Sequence, residues 1–415
     1  MILVAHPFGN ANVRALLDAL QREQLLAKYV TTLGWSGDGP AAMLPAALSR
    51  RAYDLPNEKM RAHPLREIVR LLSGNLGLRK LIEHERGWAS VDRVWQELDA
   101  RAALFLCANK REAQISAVYS YEDCALQLFD AANDLRVRRI YDLPIAYWET
   151  AQRLLREEAE RYPDWEPTLL GTRDSAEKLA RKTRELELAE MVICPSEFVL
   201  DSLPQSARAA KRCVVAPFGS PVTEPAEVTQ AVTTRPLRVL FAGAMTQRKG
   251  LADVFAAVKL VDTDQVELVV MGSPLMPLDW YRQRGQFTYE PPRPHPDVLR
   301  LMRSCDVFVL PSIVEGRALV QQEAMASGLP LIATRNAGGE DLITEGDTGF
   351  LVPIRSAEQI AERIAWCVAN RSSLKAMGAA AQARAAKLTW RTYGDTVVAA
   401  IRSLAAPATE AEPLR

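Results

Sequence analysis

The sequence predicts an α/β protein built as two Rossmann-like, doubly wound domains, and three observations carry that expectation. Short β-branched runs alternate with longer helical patterns, the order that parallel sheets with crossover helices require. The alternation breaks at "PFGSPVTEPAEVTQAVTTRP" (217–236), rich in Pro, Thr and Ser, and then restarts. A chain of 415 residues is also too long for one ordinary core.

In the first domain (1–216) the expected strands are "ILVAH" (2–6), "KYVTTL" (28–33), "SAVYS" (116–120), "RRIYDL" (138–143), "MVICPS" (191–196) and "CVVAPFG" (213–219). Helical periodicity is clearest at 12–26 and 175–189. After the linker, the second domain (237–387) is expected to place strands at "LRVLFAGA", "VELVVMG", "DVFVLPS", "LPLIAT" and "GFLVP". A last helix follows at 388–405, and 406–415 reads as a disordered tail.

The segment 34–115 is far longer than an ordinary connection between strand and helix. Its central part is helical and locally basic: Arg50, Arg51, Lys59, Arg61, Arg66, Arg70, Arg79, Lys80 and Arg86 outnumber the acids. It is expected to be either a solvated insertion or a surface for an anionic membrane or phosphorylated lipid-linked acceptor.

Bulk properties narrow the function. Lys+Arg and Asp+Glu are both 51, so no net field selects nucleic acid. Six cysteines without CxxC spacing read as reduced thiols, and four histidines without i,i+4 pairs argue against a metal cage. "MILVAHPF" has no basic n-region, and no apolar run approaches the roughly eighteen residues of a membrane span. The expected location is cytoplasmic, with peripheral contact at the inner face of the membrane as an added expectation.

Three stretches carry chemistry. "VLFAGAMTQRKGL" (239–251) runs from a strand through Gly243 into a helix expected near Lys249, at the sheet edge where ligands collect. Gly243 admits a ligand close to the backbone, and Arg248 and Lys249 suit a diphosphate as planar fork and point charge. "PSIVEGRALVQQEAMASGLPLIAT" (311–334) turns at Glu315-Gly316 and starts a helix near Ala318. The amides of Arg317, Ala318 and Leu319 are expected to face an anion there. Glu323 lies about one and a half turns further on. Two carboxylates flanking a diphosphate, each accepting from hydroxyls, resolve the oddity of acids beside an anion site. "HPFGNAN" (6–12) is the first loop of the other domain; Gly9 gives backbone access, Asn12 is the expected N-cap, and His6 reads as structural.

Together, Glu-x7-Glu followed by "AMASGLPLIAT", "DVFVLPS" before it, "FAGAMTQRKG" upstream and "EGDTGFLVP" downstream resemble the retaining GT-B glycosyltransferases of family GT4. The resemblance is strong over 237–405 and looser in the first half, where "ELELAEMVICPSEFV" (185–199) is similar to a family strand. It implies a GT-B fold, two domains facing across a cleft, with the last helix returning to the first domain. It also implies that Arg248 and Lys249 neutralise the donor diphosphate. Glu315 is then near the donor sugar, Glu323 bonds the ribose, Gly316, Arg317, Ala318 and Leu319 hold phosphate and sugar, and Gly9 faces the donor. The chain departs from the family at "EGRA", where "EGFG" is common, so Arg317 is expected to contact sugar or acceptor. The family's first-domain histidine has no match, and Glu122, Asp142 and Tyr147 are the candidates in its region.

The implied reaction transfers a sugar from a UDP- or GDP-linked donor to a glycan or lipid-linked acceptor, with no cofactor and no metal. The "DTD" at 262–264 precedes a strand instead of following one, so it is not expected to bind metal. Two alternatives stay open: a sugar-nucleotide epimerase of the same architecture, and a non-catalytic binding scaffold. A dinucleotide dehydrogenase is disfavoured because no GxGxxG follows the first strand.

Overall fold

The computed structural model describes residues 1–37, 51–221, 235–262 and 264–405. Most of the expected linker, all of the expected tail, Arg50 and Thr263 lie outside these residues.

The first sheet contains β1 (Ile2–Ala5), β2 (Leu26–Thr31), β5 (Met60–Ala62), β6 (Ala117–Tyr121), β7 (Arg138–Asp142), β8 (Met191–Cys194) and β9 (Arg212–Val215). Their order is β5-β2-β1-β6-β7-β8-β9, with every pair parallel. A separate pair joins β3 (Trp35–Ser36) to β4 (Ala52–Tyr53). The helices of this half are α1 (Ala11–Arg22), α2 (Leu65–Asn75), α3 (Val91–Asn109), α4 (Leu126–Asp134), α5 (Trp148–Arg161), α6 (Ala176–Leu188), α7 (Glu197–Ser202) and α8 (Gln205–Ala210). Central strands such as "ILVA" are buried along their whole length, because a parallel sheet is covered on both faces.

The second sheet contains β10 (Leu237–Ala242), β11 (Val266–Met271), β12 (Thr288–Glu290), β13 (Val307–Leu310), β14 (Leu331–Thr334) and β15 (Gly349–Val352). Its order is β12-β11-β10-β13-β14-β15, again all parallel. Its helices are α9 (Leu251–Val261), α10 (Leu278–Arg282), α11 (His295–Arg303), α12 (Leu319–Ala326), α13 (Ala357–Ala369) and α14 (Arg371–Ala386). The final helix, α15 (Trp390–Ala405), leaves this domain and lies on α1. Tyr393, Val397 and Ile401 share a core with Leu16, Leu17 and Leu20. Contact is close at Gly394, where a Cβ would stand 2.7 Å from the Ala15 carbonyl oxygen.

Three details differ from expectation. Asn10, not Asn12, is the N-cap of α1, with no side-chain cap bond. Asn12 is buried and hydrogen-bonds Tyr393, so the incoming last helix takes the side chain that was expected to cap. The long insertion narrows, because α3 is the ordinary crossover helix and β5 extends the sheet. Half of its described cations are held internally: Arg51 and Arg70 hold the buried Glu67, Arg66 holds Glu97, and Lys59 donates to the Leu26 carbonyl, while Arg61, Arg79, Lys80 and Arg86 are exposed.

A strap after α5 crosses between the domains. Residues 163–172 form two short 3-10 segments, and Trp165 sits in the core of the second domain against Phe255, Trp280 and Tyr281.

Candidate active site

In each sheet the direction of winding reverses once, between β1 and β6 and between β10 and β13. Loops leaving the carboxyl ends of strands diverge at such a point and open a crevice. The Gly243–Lys249 loop follows β10 and the Pro311–Ala318 loop follows β13, so sequence order alone puts the cations and Glu315 in one crevice.

Local chemistry fixes the cations. Gly243 has φ +143, and a Cβ there would stand 2.9 Å from Lys249 Cδ; its absence lets the lysine lie back across the strand end. The helix expected near Lys249 is instead a 3-10 turn, Gln247–Lys249, with α9 starting at Leu251. Gln247 is fully buried and clamps that turn. Its N–H donates to Thr168 Oγ1 (3.2 Å), and its Nε2 donates to Glu158 Oε2 and Asp253 Oδ2, both at 2.8 Å. Arg248 joins the two loops: its carbonyl accepts from the N–H of Ile313, and its Nη1 donates to the Val314 carbonyl, both at 2.8 Å.

Glu315 receives both cations, Lys249 Nζ at 2.6 Å and Arg248 Nη1 at 3.2 Å. Burial pushes its carboxyl up, but the attraction of Arg248 and Lys249 overrides this and holds it at about 2. One carboxylate between two cations leaves a surplus positive charge in the crevice. Glu323 lies on the second turn of α12, with His295 Nε2 3.2 Å from its Oε1. His295 was not among the expected site residues.

Gly316 meets the first domain. A Cβ would fall 1.8 Å from the Pro144 carbonyl oxygen, and the Gly316 carbonyl accepts from Ser196 Oγ at 2.7 Å. Only glycine lets the two lobes touch there.

Two expectations about this loop are corrected. The Ala318 N–H is directed to the Ala337 carbonyl (3.3 Å), leaving Arg317 and Leu319 as the amides with no partner among the described residues. The Arg317 guanidinium does not face the crevice. It is fully buried, bonded to Asp341 (2.8 Å), Gln322 (3.0 Å) and the Pro195 carbonyl (3.4 Å), and burial lowers it to about 10. Its Nε and Nη1 are taken by these partners, while the buried Nη2 has no hydrogen-bond partner among the described residues.

On the other lobe, Gly9 packs against Tyr53 and Arg14. Beyond β6, Glu122 pairs with Lys182 (3.3 Å); at the end of β7, Asp142 lies 3.8 Å from His6; Tyr147 OH reaches Thr183 (3.4 Å). All three candidates are buried, and Asp142 and Tyr147 flank the Pro144 contact with Gly316. His84, Glu85 and Asp174 come within metal-like spacing of one another, but Lys178 already stands 3.0 Å from Asp174.

Residues 227–384 match the family described as "Glycosyl transferases group 1". The D-inositol 3-phosphate glycosyltransferase of Corynebacterium glutamicum (strain R) is 30% identical over 166 residues, covering 37% of this chain and 40% of that protein. "Sulfoquinovosyl transferase SQD2" of Arabidopsis thaliana is 40% identical over 91 residues, 21% of this chain and 18% of its own. The chain therefore matches these relatives over less than half of their length.

Solved structures align along almost the whole chain. The sucrose-phosphate synthase of Thermosynechococcus elongatus superposes with TM-score 0.65 at 17% identity, covering 97% of this chain and 99% of that one. Anabaena Alr3699/HepE in complex with UDP-glucose gives TM-score 0.59 at 17% identity with the same coverage. At these identities the likeness is one of fold. The fold is GT-B, two Rossmann-like domains, and 227–384 is the stretch similar to the glycosyl transferases group 1 family.

Proposed function

We propose that the protein is a retaining, metal-independent glycosyltransferase of the GT4 type. It moves a sugar from a nucleoside diphosphate donor to a hydroxyl of a glycan or lipid-linked acceptor. The observation that carries this is Glu315 held by both Arg248 and Lys249 at the switch point of the second sheet. Breaking the bond between anomeric carbon and phosphate puts negative charge on the leaving diphosphate. Arg248, Lys249 and the free amides at the start of α12 stabilise that charge from fixed positions. The acceptor hydroxyl attacks from the leaving-group face, and the departing phosphate takes its proton. Glu315 orients the sugar and exchanges part of its ion pairing for the diphosphate; Glu323 holds the ribose beside His295. A UDP-linked donor is favoured over a GDP-linked one by the solved UDP-glucose complex of HepE, a protein of the same fold.

The test is a screen of nucleotide sugars read as nucleotide release with and without acceptor hydroxyls. At least one donor should be consumed, Glu323→Ala should raise its KM, and Lys249→Ala should abolish turnover with the fold intact. Wild-type turnover in Lys249→Ala sinks the proposal. Rearranged donor without acceptor would identify an epimerase.

A further inference from the structure

Helix α2 has its apolar side outward. Leu65, Ile68, Leu72 and Leu76 recur at three- and four-residue spacing and share one face, which is 65%, 41%, 53% and 67% exposed in that order. Leu71 and Leu78 beside them are exposed as well. The opposite face carries Arg66, Glu67, Arg70 and Ser73, and this polar side is the one packed on the protein. Glu67 and Ser73 are buried; Glu67 accepts from Arg51 and twice from Arg70, and Arg66 reaches Glu97 while lying over Trp88. A surface helix ordinarily does the reverse. Most of the large apolar side chains exposed among the described residues fall within 65–91, so this is a patch and not the usual scatter.

Its rim selects the occupant. Past the helix end, Arg79, Lys80 and Arg86 are exposed, with Glu83 the exposed acid among them. A second copy of this chain, meeting patch to patch, would bring those cations against their own kind. An apolar strip edged with cations fits a bilayer surface carrying acidic head groups.

We propose that α2 and residues 76–80 seat the protein on an anionic lipid surface. Leu65, Ile68, Leu72 and Leu76 enter the acyl boundary, and Arg79 and Lys80 meet the phosphates. Because α2 follows β5, it starts at the carboxyl edge of the first sheet.

The experiment is flotation of the full chain with vesicles of phosphatidylcholine, alone or mixed with phosphatidylglycerol, without any sugar nucleotide. The wild type should bind the mixed vesicles and not the neutral ones. Ile68→Ser with Leu72→Ser should lower the partition coefficient about tenfold per side chain, with an unchanged melting temperature because both are exposed. Arg79→Glu with Lys80→Glu should abolish the preference for phosphatidylglycerol. Absence of wild-type binding, or unchanged binding by the serine variant, overturns the proposal. So does a dimer in light scattering that Leu72→Ser dissolves. Since no donor is present, these outcomes are independent of whether glycosyl transfer occurs.

Discussion

Two ionic clusters flank the Gln247–Lys249 turn and use the same residue types to opposite ends. On the crevice side, Arg248 and Lys249 share the single carboxylate of Glu315. On the strap side, Arg355 pairs with Glu157 and Glu158, and Arg161 pairs with Asp253. The first cluster has one cation more than it has acids; in the second, Arg153, Arg161 and Arg355 match Glu157, Glu158 and Asp253 one for one. Glu158 and Asp253 are fully buried, and the amide of Gln247 satisfies both. A surplus of positive charge at an open crevice can receive an anion. A balanced cluster, with a neutral amide filling its buried carboxylates, can only hold a backbone in place. Charge balance, and not the number of charged groups, separates site from scaffold.

The largest effect should come from the strap. Glu158→Ala removes the acceptor of Arg355 Nε and of one buried Gln247 donor, while Arg355 keeps Glu157, and should lower the unfolding free energy by about 3 kcal/mol in urea titration. Retained wild-type stability would erase the distinction between the clusters. Lys249→Ala should instead act chiefly on the reaction, lowering turnover by about 100- to 1000-fold, with a smaller loss of stability because Arg248 still holds Glu315.

A third effect concerns acid. The folded Glu315 carboxyl stands at about 2, below its ordinary 4.5, so its stabilisation is complete above pH 4.5 and fades as pH falls toward 2. Glu315→Gln should remove about 3 kcal/mol of that acid-labile stability, visible as a flatter midpoint profile over this window.

A fourth effect sharpens the comparison with a buried pair that shares one proton. Burial lowers His6 to about 3 and raises Asp142 to about 7. His6 Nδ1 lies 2.9 Å from the Phe8 carbonyl oxygen and 3.1 Å from the Phe8 nitrogen, and Nε2 lies 3.8 Å from Asp142. Between their ordinary values of 3.8 and 6.5, the folded pair keeps its proton on Asp142 and the unfolded pair keeps it on histidine. Proton numbers match, so the two pH dependences cancel. Asp142→Asn should unmask a loss of stability as pH falls below 6.5, and His6→Asn a loss as pH rises above 3.8, each up to about 1.4 kcal/mol per pH unit. Denaturation midpoints across that window check both signs.

The strands and the crevice were legible because parallel sheets demand buried runs, and because strand ends deliver loops to one edge. Arg248, Lys249 and Glu315 met as their positions after β10 and β13 require. What could not be read was orientation. "PDWEPTLLGT" has loop composition, and nothing in it says that Trp165 enters the other domain. Charge counting along 50–86 found cations without their partners, so a face led by leucine passed for a basic one. Arg317 looked like a ligand because Asp341, which neutralises it, lies far along the chain. His295 could have been sought as the residue able to face a ribose-binding glutamate, but only the fold brings α11 beside α12.

The seam between α1 and α15 has a consequence for how the molecule is made. The core behind β1 is completed by Tyr393, Val397 and Ile401, which a ribosome delivers only after the whole second domain. Domains generally fold in the order of synthesis, yet here the earlier lobe must wait with that side uncovered until the later one is finished. A chain cut short before Trp390 would therefore leave its oldest part, not its newest, as the aggregation-prone end.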